Sequence, residues 1–251
     1  TLLSLIKLFL NKNDFILLEK KSVIDNKKNL KYSILKNFVF DNFNNYGLLR
    51  TAFLSKKFKL TIEQIFDLLN SENEISFIEK EWLYDNSKLR NRLYSTLQKI
   101  FNVSPVVNKF HIMKAIKRNT RLKESSSITF EAVSNYCKTE LNAKIDDFNI
   151  SVPDEYVSKF FDNSQREILS TTDLAFINVF KNEKILTYNQ LLNKLMDQGV
   201  NTNTATVFIT QYTPVIIKVA PGCYSLVGTK LDTGEIDNFY QKNEGKGTKI
   251  I

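Results

Sequence analysis

Residues 185–228, ILTYNQLLNKLMDQGVNTNTATVFITQYTPVIIKVAPGCYSLVG, constrain the fold more than any other stretch of the chain. Leu191, Leu192 and Leu195 share one helical face. Gly199 stands where a left-handed residue would end that helix, and Asn201 can cap the next one. The second helix turns Ala205, Phe208 and Ile209 inward, with Asn203, Thr204, Thr206 and Gln211 outward. Ile216 to Val219 and Tyr224 to Val227 then pair across Pro221-Gly222, a strong two-residue turn signal. Strand, helix, turn, helix and hairpin in this order are the plan of a winged helix, a scaffold that most often meets nucleic acid.

Composition narrows the rest. The 251 residues include only 7 glycines and 4 prolines, which favours helices with short joints over a β-sandwich. A hydrophobic share of 43% is enough to bury cores. The net charge of +8 suits a polyanion partner through counterion release. The Asn, Lys and Ile bias also fits an AT-rich genome, so charge alone is a weak argument. Cys137 and Cys223 have no metal-ligand spacing and are expected to be reduced thiols in a cytoplasmic protein. No apolar run approaches the ~20 residues of a membrane span. Leu2 to Leu10 is apolar, but Lys7 interrupts it and no cleavage site follows. The chain does not begin with methionine, which suggests a piece of a longer protein.

The pattern of helix, short strand, helix, helix and hairpin recurs along the chain. Residues 1–41 are expected to form a helical N-terminal segment, with Leu2, Leu3, Ile6, Phe9 and Leu10 at helical spacing; DFILLEKK fits strand or helix equally. A first winged-helix-like unit is placed at 42–86. Its first helix is expected over Gly47 to Leu54, a helix capped by Thr61 runs to Asn70, and a hairpin forms around Glu79-Lys80-Glu81. A recognition helix is missing or very short in that reading. A second unit, 87–152, has helices over Leu89–Phe101, Lys109–Asn119 and Ser127–Leu141, a strand at Pro105-Val106-Val107, and a hairpin across Asp146-Asp147. The third unit spans 163–228, and residues 229–251 read as a polar, mobile tail or linker. A single α-rich domain with one winged helix at its end is the competing architecture.

LRNRLYSTLQKIFNVS (89–104) and the segment 199–228 resemble a bacterial family of tandem helix-turn-helix proteins loosely described as similar to sigma-factor region 4. The matching positions are Arg90, Asn91, Arg92 and Leu93, then Gly199, Asn201, Asn203, Thr204, Pro214, Val215, Gly222, Tyr224, Leu226 and Gly228, with Trp82 ahead of them. The resemblance covers roughly 79–228, and it implies a DNA-binding or transcription-related module. Thr202 stands where the family commonly has arginine, which removes one candidate phosphate or base contact.

Two groups of residues are candidates for touching DNA. Asn201, Asn203, Thr204, Thr206 and Gln211 lie on or beside the third unit's outer helix, with Thr210; amides can read adenine edges and hydroxyls can hold phosphates. That helix has no lysine or arginine, and Lys218 on the wing is the nearest cation. The better electrostatic footprint is Lys109, Lys114, Lys117, Arg118, Arg121 and Lys123, with no acid before Glu124. Lys114, Lys117, Arg118 and Arg121 recur at three or four residues and so share a helical face. Arg90 and Arg92 either extend this stripe or pair with acids such as Asp85. His111 is the only histidine and has no metal-ligating or nucleophilic company. Asp232-Thr233-Gly234 lacks the second aspartate of an aspartic protease, and Gly245 to Thr248 lacks the strand–helix setting of a P-loop. Tyr46, Trp82, Tyr84, Tyr94 and Phe101 are spaced as core residues more than as stacking platforms for single strands.

The chain is therefore expected to be mainly α with short β-hairpins, built of tandem winged-helix units, without catalysis, metal or cofactor. The expected function is binding of double-stranded DNA, largely through phosphates, in transcription control or target recognition for a larger defence or mobile-element system at the nucleoid. The alternative is a protein-interaction adaptor that uses the same units for packing or self-association; RNA binding is the third reading.

Overall fold

The computed structural model describes residues 32–86, 91–153 and 168–243. Within them one order of elements occurs three times. The first set is α1 (32–46), β1 (Leu49–Arg50), α2 (Thr51–Phe58), α3 (Ile62–Leu69), β2 (Ile75–Ile78) and β3 (Trp82–Asp85). The second is α4 (Arg92–Val103), β4 (Val106–Asn108), α5 (Lys109–Arg118), α6 (Phe130–Leu141), β5 (Lys144–Ile145) and β6 (Asn149–Ser151). The third is α7 (Thr171–Val179), β7 (Leu186–Thr187), α8 (Tyr188–Asp197), α9 (Thr202–Val207, continued by a π-turn over Phe208–Tyr212), β8 (Ile216–Ala220) and β9 (Cys223–Leu226). A last helix, α10, spans Thr233–Asn243. The molecule is thus mixed α and β, mostly helical, with three small antiparallel three-stranded sheets.

Each sheet has the same layout. The isolated strand pairs with the second strand of the hairpin, so β3, β6 and β9 are central. Leu49 faces Leu83, Val107 faces Ile150 and Leu186 faces Tyr224 across these ladders. Helix starts are written in the sequence. Thr61 with Gln64, and Thr187 with Gln190, form reciprocal capping boxes, while Asn91, Asn108, Thr129 and Asn201 each accept from a backbone N–H of the first turn. Gly199 and Gly222 take positive φ, ending α8 and turning the β8–β9 hairpin.

Three cores follow the three sets, and the middle one is shared. Around Leu97, Ile116 and Tyr136 it takes in Leu48, Ile78, Trp82 and Tyr84 from the first set and Ile217 and Val227 from the third. Two glycines permit the close approach. Gly47 has φ +70, and a Cβ there would lie 2.5 Å from the Leu93 Cβ. Gly228 has φ +81, and its Cβ would collide with the Ser104 side chain. The second and third sets are also joined by a buried polar network. Asp173, wholly inaccessible, receives hydrogen bonds from Lys99 Nζ (2.6 Å), Ser170 Oγ (2.7 Å) and Thr213 Oγ1 (2.7 Å).

The first set departs from expectation. Gly47 to Leu54 is not one helix, because Leu49–Arg50 forms a strand and the helix starts at Thr51. The first helix of the set is α1, upstream, so no helix is missing before the hairpin. Tail residues 233–243 are helical. Asp232 and Glu235 bond each other's backbone N–H groups at the start of α10, and Lys184 holds Glu235 at 2.7 Å. Leu2 to Leu10, DFILLEKK, Arg90 and Gly245 to Thr248 lie outside the described residues.

Candidate nucleic-acid interface

Helix α5 buries Ile112, Ala115 and Ile116 and turns Phe110, Lys114 and Lys117 to solvent. Those three exposed positions are four and three residues apart and form a line along the helix. The line continues into the loop 119–123, which holds an exposed Arg121 and Lys123. Asn119 is buried and shapes the loop, donating to Thr96 Oγ1 (3.0 Å) and accepting from the Arg121 N–H (3.1 Å). The Arg92 guanidinium donates to the Arg121 carbonyl.

This loop is where the three sets meet. Thr120 N–H donates to the Gln211 carbonyl (3.3 Å), and Lys123 N–H donates to that of Asn45 (2.8 Å). The Arg121 guanidinium lies 4.3 Å from the Tyr212 ring centroid, and the Lys123 ammonium lies 5.9 Å from that of Tyr46. An aromatic face orients a cation without neutralising it. Among the described residues, Lys114, Arg121 and Lys123 make no ion pair.

Two predicted members of the stripe do not share its face. Arg118 sits at the flank of α5 and turns toward the third set. Its Nη2 donates to the Thr213 carbonyl just after the π-turn (2.8 Å) and reaches that of Phe208 at its start (3.5 Å). Nε and Nη1 are buried without a hydrogen-bond partner. Burial pulls this guanidinium down to about 10, against a smaller opposing effect of Tyr224. Arg118 therefore pins two sets together, and its charge is not presented to a ligand. Lys109 is half-buried among Phe110, Phe130 and Phe148, with its ammonium 5.2–5.8 Å from the three centroids.

On the third set, Asn201, Asn203, Thr204 and Gln211 are exposed, whereas Thr206 is half-buried and lies 3.3 Å from the Tyr188 hydroxyl. The Asn201 side chain is spent on capping α9. Met196 and Val207 are also exposed on this part of the molecule. Lys218 is exposed on β8, facing Tyr224 in the ladder. The Gln211–Tyr212 end thus joins the cationic loop through backbone and ring contacts, and the rest of the outer helix adds only neutral groups. The contacts of Tyr212 and Tyr46 with the loop had no counterpart in the sequence reading, because they join residues 77 or more positions apart.

Burial and the nearby Lys114 lower the His111 imidazole, and its Nδ1 lacks a hydrogen-bond partner. It borders an open cleft of about 630 Å³ with Asn108, Asn149, Lys184 and Glu235. Asp232 serves as a helix cap. Among the described residues, no group of three or more His, Cys, Asp or Glu could hold a metal ion, and no helix is long and apolar enough to cross a membrane. Cys137 and Cys223 are buried free thiols. Trp82, Tyr84 and Phe101 are core residues, while Tyr46 and Tyr94 pack at its edge.

No family model, no curated protein and no solved structure matches this chain. The resemblance to tandem helix-turn-helix proteins therefore rests on the quoted residues alone.

Proposed function

We propose that the three repeats are tandem winged-helix units and that the chain is a non-catalytic module binding double-stranded DNA through its phosphates. One observation carries this reading. Lys114 and Lys117 on the exposed face of α5, and Arg121 and Lys123 in the loop where the three sets meet, are exposed cations that follow one another along the chain. Such a run suits the regular charge of a duplex backbone. Gln211 and the neutral outer face of α9 adjoin one end and supply what base reading there is. The proposed setting is transcription control or target recognition within a larger system at the nucleoid.

The direct test replaces Lys114, Lys117 and Arg121 by alanine and measures duplex affinity against salt. Each phosphate contact contributes about 0.9 to the slope of log K on log salt, so loss of three should flatten it by about 2.7. An unchanged slope refutes the assignment.

The adaptor reading keeps one specific observation. Asn201 to Tyr212 carries no charge and exposes Val207, and Met196 is exposed shortly before it, a composition closer to a protein-contact surface than to a groove-reading helix. A stable oligomer or captured protein partner that is lost on Val207→Asp would favour it.

A further inference from the structure

The middle helices of the three repeats can be set in register by their cores. The fourth residue of each is fully buried: Leu54 in α2, Ile112 in α5 and Leu191 in α8. Lys114 and Lys117 stand two and five positions after Ile112, on the exposed face of α5. Two and five positions after Leu54, the first repeat has Lys56 and Lys59, both exposed. The same positions of the third repeat are Asn193 and Met196, exposed and neutral. The cation pair of α5 is thus repeated on α2 and not on α8. Lys59 ends α2 with φ +52, in the left-handed region where a helix end ordinarily takes glycine or asparagine, as Asn142 does after α6. A lysine there carries backbone strain that glycine would avoid. Among the described residues, neither Lys56 nor Lys59 makes an ion pair. Glu72 is held by Lys36 and Glu81 by Arg50, so these two acids of the same repeat are already engaged. The first and second repeats share a core, and Asn91 Nδ2 donates to the Gly47 carbonyl at 3.0 Å, which holds the two lysine pairs at a fixed separation.

We propose that Lys56 and Lys59 are a second phosphate-binding site, taken by the same duplex that Lys114 and Lys117 hold, so that the DNA lies across the first and second repeats. This rests on the DNA-binding reading and specifies its footprint. Two more neutralised phosphates steepen the salt dependence by about 0.9 each, or about 1.8 together.

The test measures, by fluorescence anisotropy, the affinity of the full chain for a mixed-sequence duplex of about 30 base pairs across a salt series. Lys56→Ala with Lys59→Asn should flatten the log–log slope by about 1.8. Asparagine keeps the left-handed helix end, and both side chains are exposed, so the variant should retain the circular dichroism and melting temperature of the parent. Lys56→Arg with Lys59→Arg should keep the parental slope. Lys80→Asn with Lys230→Ala, at exposed cations outside α2 and α5, removes the same charge and should leave the slope unchanged. The second site is refuted if the Lys56→Ala, Lys59→Asn variant keeps the parental slope, or if the charge-matched control flattens it equally. Duplex binding by the second repeat stands in either case, provided that loss of Lys114, Lys117 and Arg121 flattens the slope. If that loss changes nothing either, both readings fail.

Discussion

Asp173 is the residue whose removal should most damage the assembly of the repeats. It is fully buried, and its carboxylate accepts one hydrogen bond from the Lys99 ammonium and one each from the Ser170 and Thr213 hydroxyls. Asp173→Ala takes away the Lys99 partner, the side-chain acceptor for the Ser170 N–H in the α7 capping box, and the acceptor for a buried threonine hydroxyl. Breaking a buried ion pair from one side costs about 3–5 kcal/mol. The Lys99 side chain keeps 27% exposure and can rehydrate, so the lower end, ~3 kcal/mol, applies. For a chain of this size that should lower the melting temperature by about 6–12 °C. Thermal or urea unfolding followed by circular dichroism at several pH values is the assay. Burial alone would raise this carboxyl, but Lys99 and the hydrogen bonds outweigh it and hold it below its ordinary value of 3.8. A depressed carboxyl stabilises fully above its unfolded value, and that stability is lost as pH falls through the folded one. The parent should therefore lose stability below about pH 4, and Asp173→Asn should lose less over the same interval. A change under ~1 kcal/mol for Asp173→Ala, the worth of one ordinary hydrogen bond, would refute the role given to this network.

Other perturbations separate scaffold from interface. Gly228→Ala should cost more than Gly199→Ala by melting temperature. Both residues have positive φ, worth about 1–2 kcal/mol, but only Gly228 meets a neighbour, Ser104. Arg118→Ala should destabilise by about 1–3 kcal/mol, because two carbonyls at the π-turn lose a charged donor, yet leave the salt slope of DNA binding unaltered. Tyr212→Leu, which removes the ring under Arg121, should weaken duplex affinity by less than about tenfold without affecting folding, as a single exposed cation–π contact predicts.

The third repeat was the most legible part of the chain. Its helices carry caps and stops at Thr187, Gly199 and Asn201, and Pro221-Gly222 marks the hairpin. The start of the first repeat is not legible in the sequence because Leu48 and Leu49 look like helix core. A two-residue strand has no period of its own and is fixed only by pairing with Trp82 and Leu83. Helix α10 escaped notice because it buries no apolar face; its start is set by the Asp232–Glu235 cap and the Lys184 ion pair instead. The cationic stripe could be read from three- and four-residue spacing. Spacing could not tell that Arg118, at the edge of that face, turns inward, since this depends on carbonyls 90 or more residues away.

The most direct test of the central proposal is the affinity of the intact chain for a random-sequence duplex of about 30 base pairs across a salt series. We expect micromolar or tighter binding at low salt, weakening with a log–log slope near about −3.6 if the four proposed contacts, Lys114, Lys117, Arg121 and Lys123, each neutralise one phosphate, and steeper if Lys56 and Lys59 add theirs. No binding at low salt, or an affinity insensitive to salt, would contradict it and leave the neutral surface around Met196 and Val207 as the one to pursue.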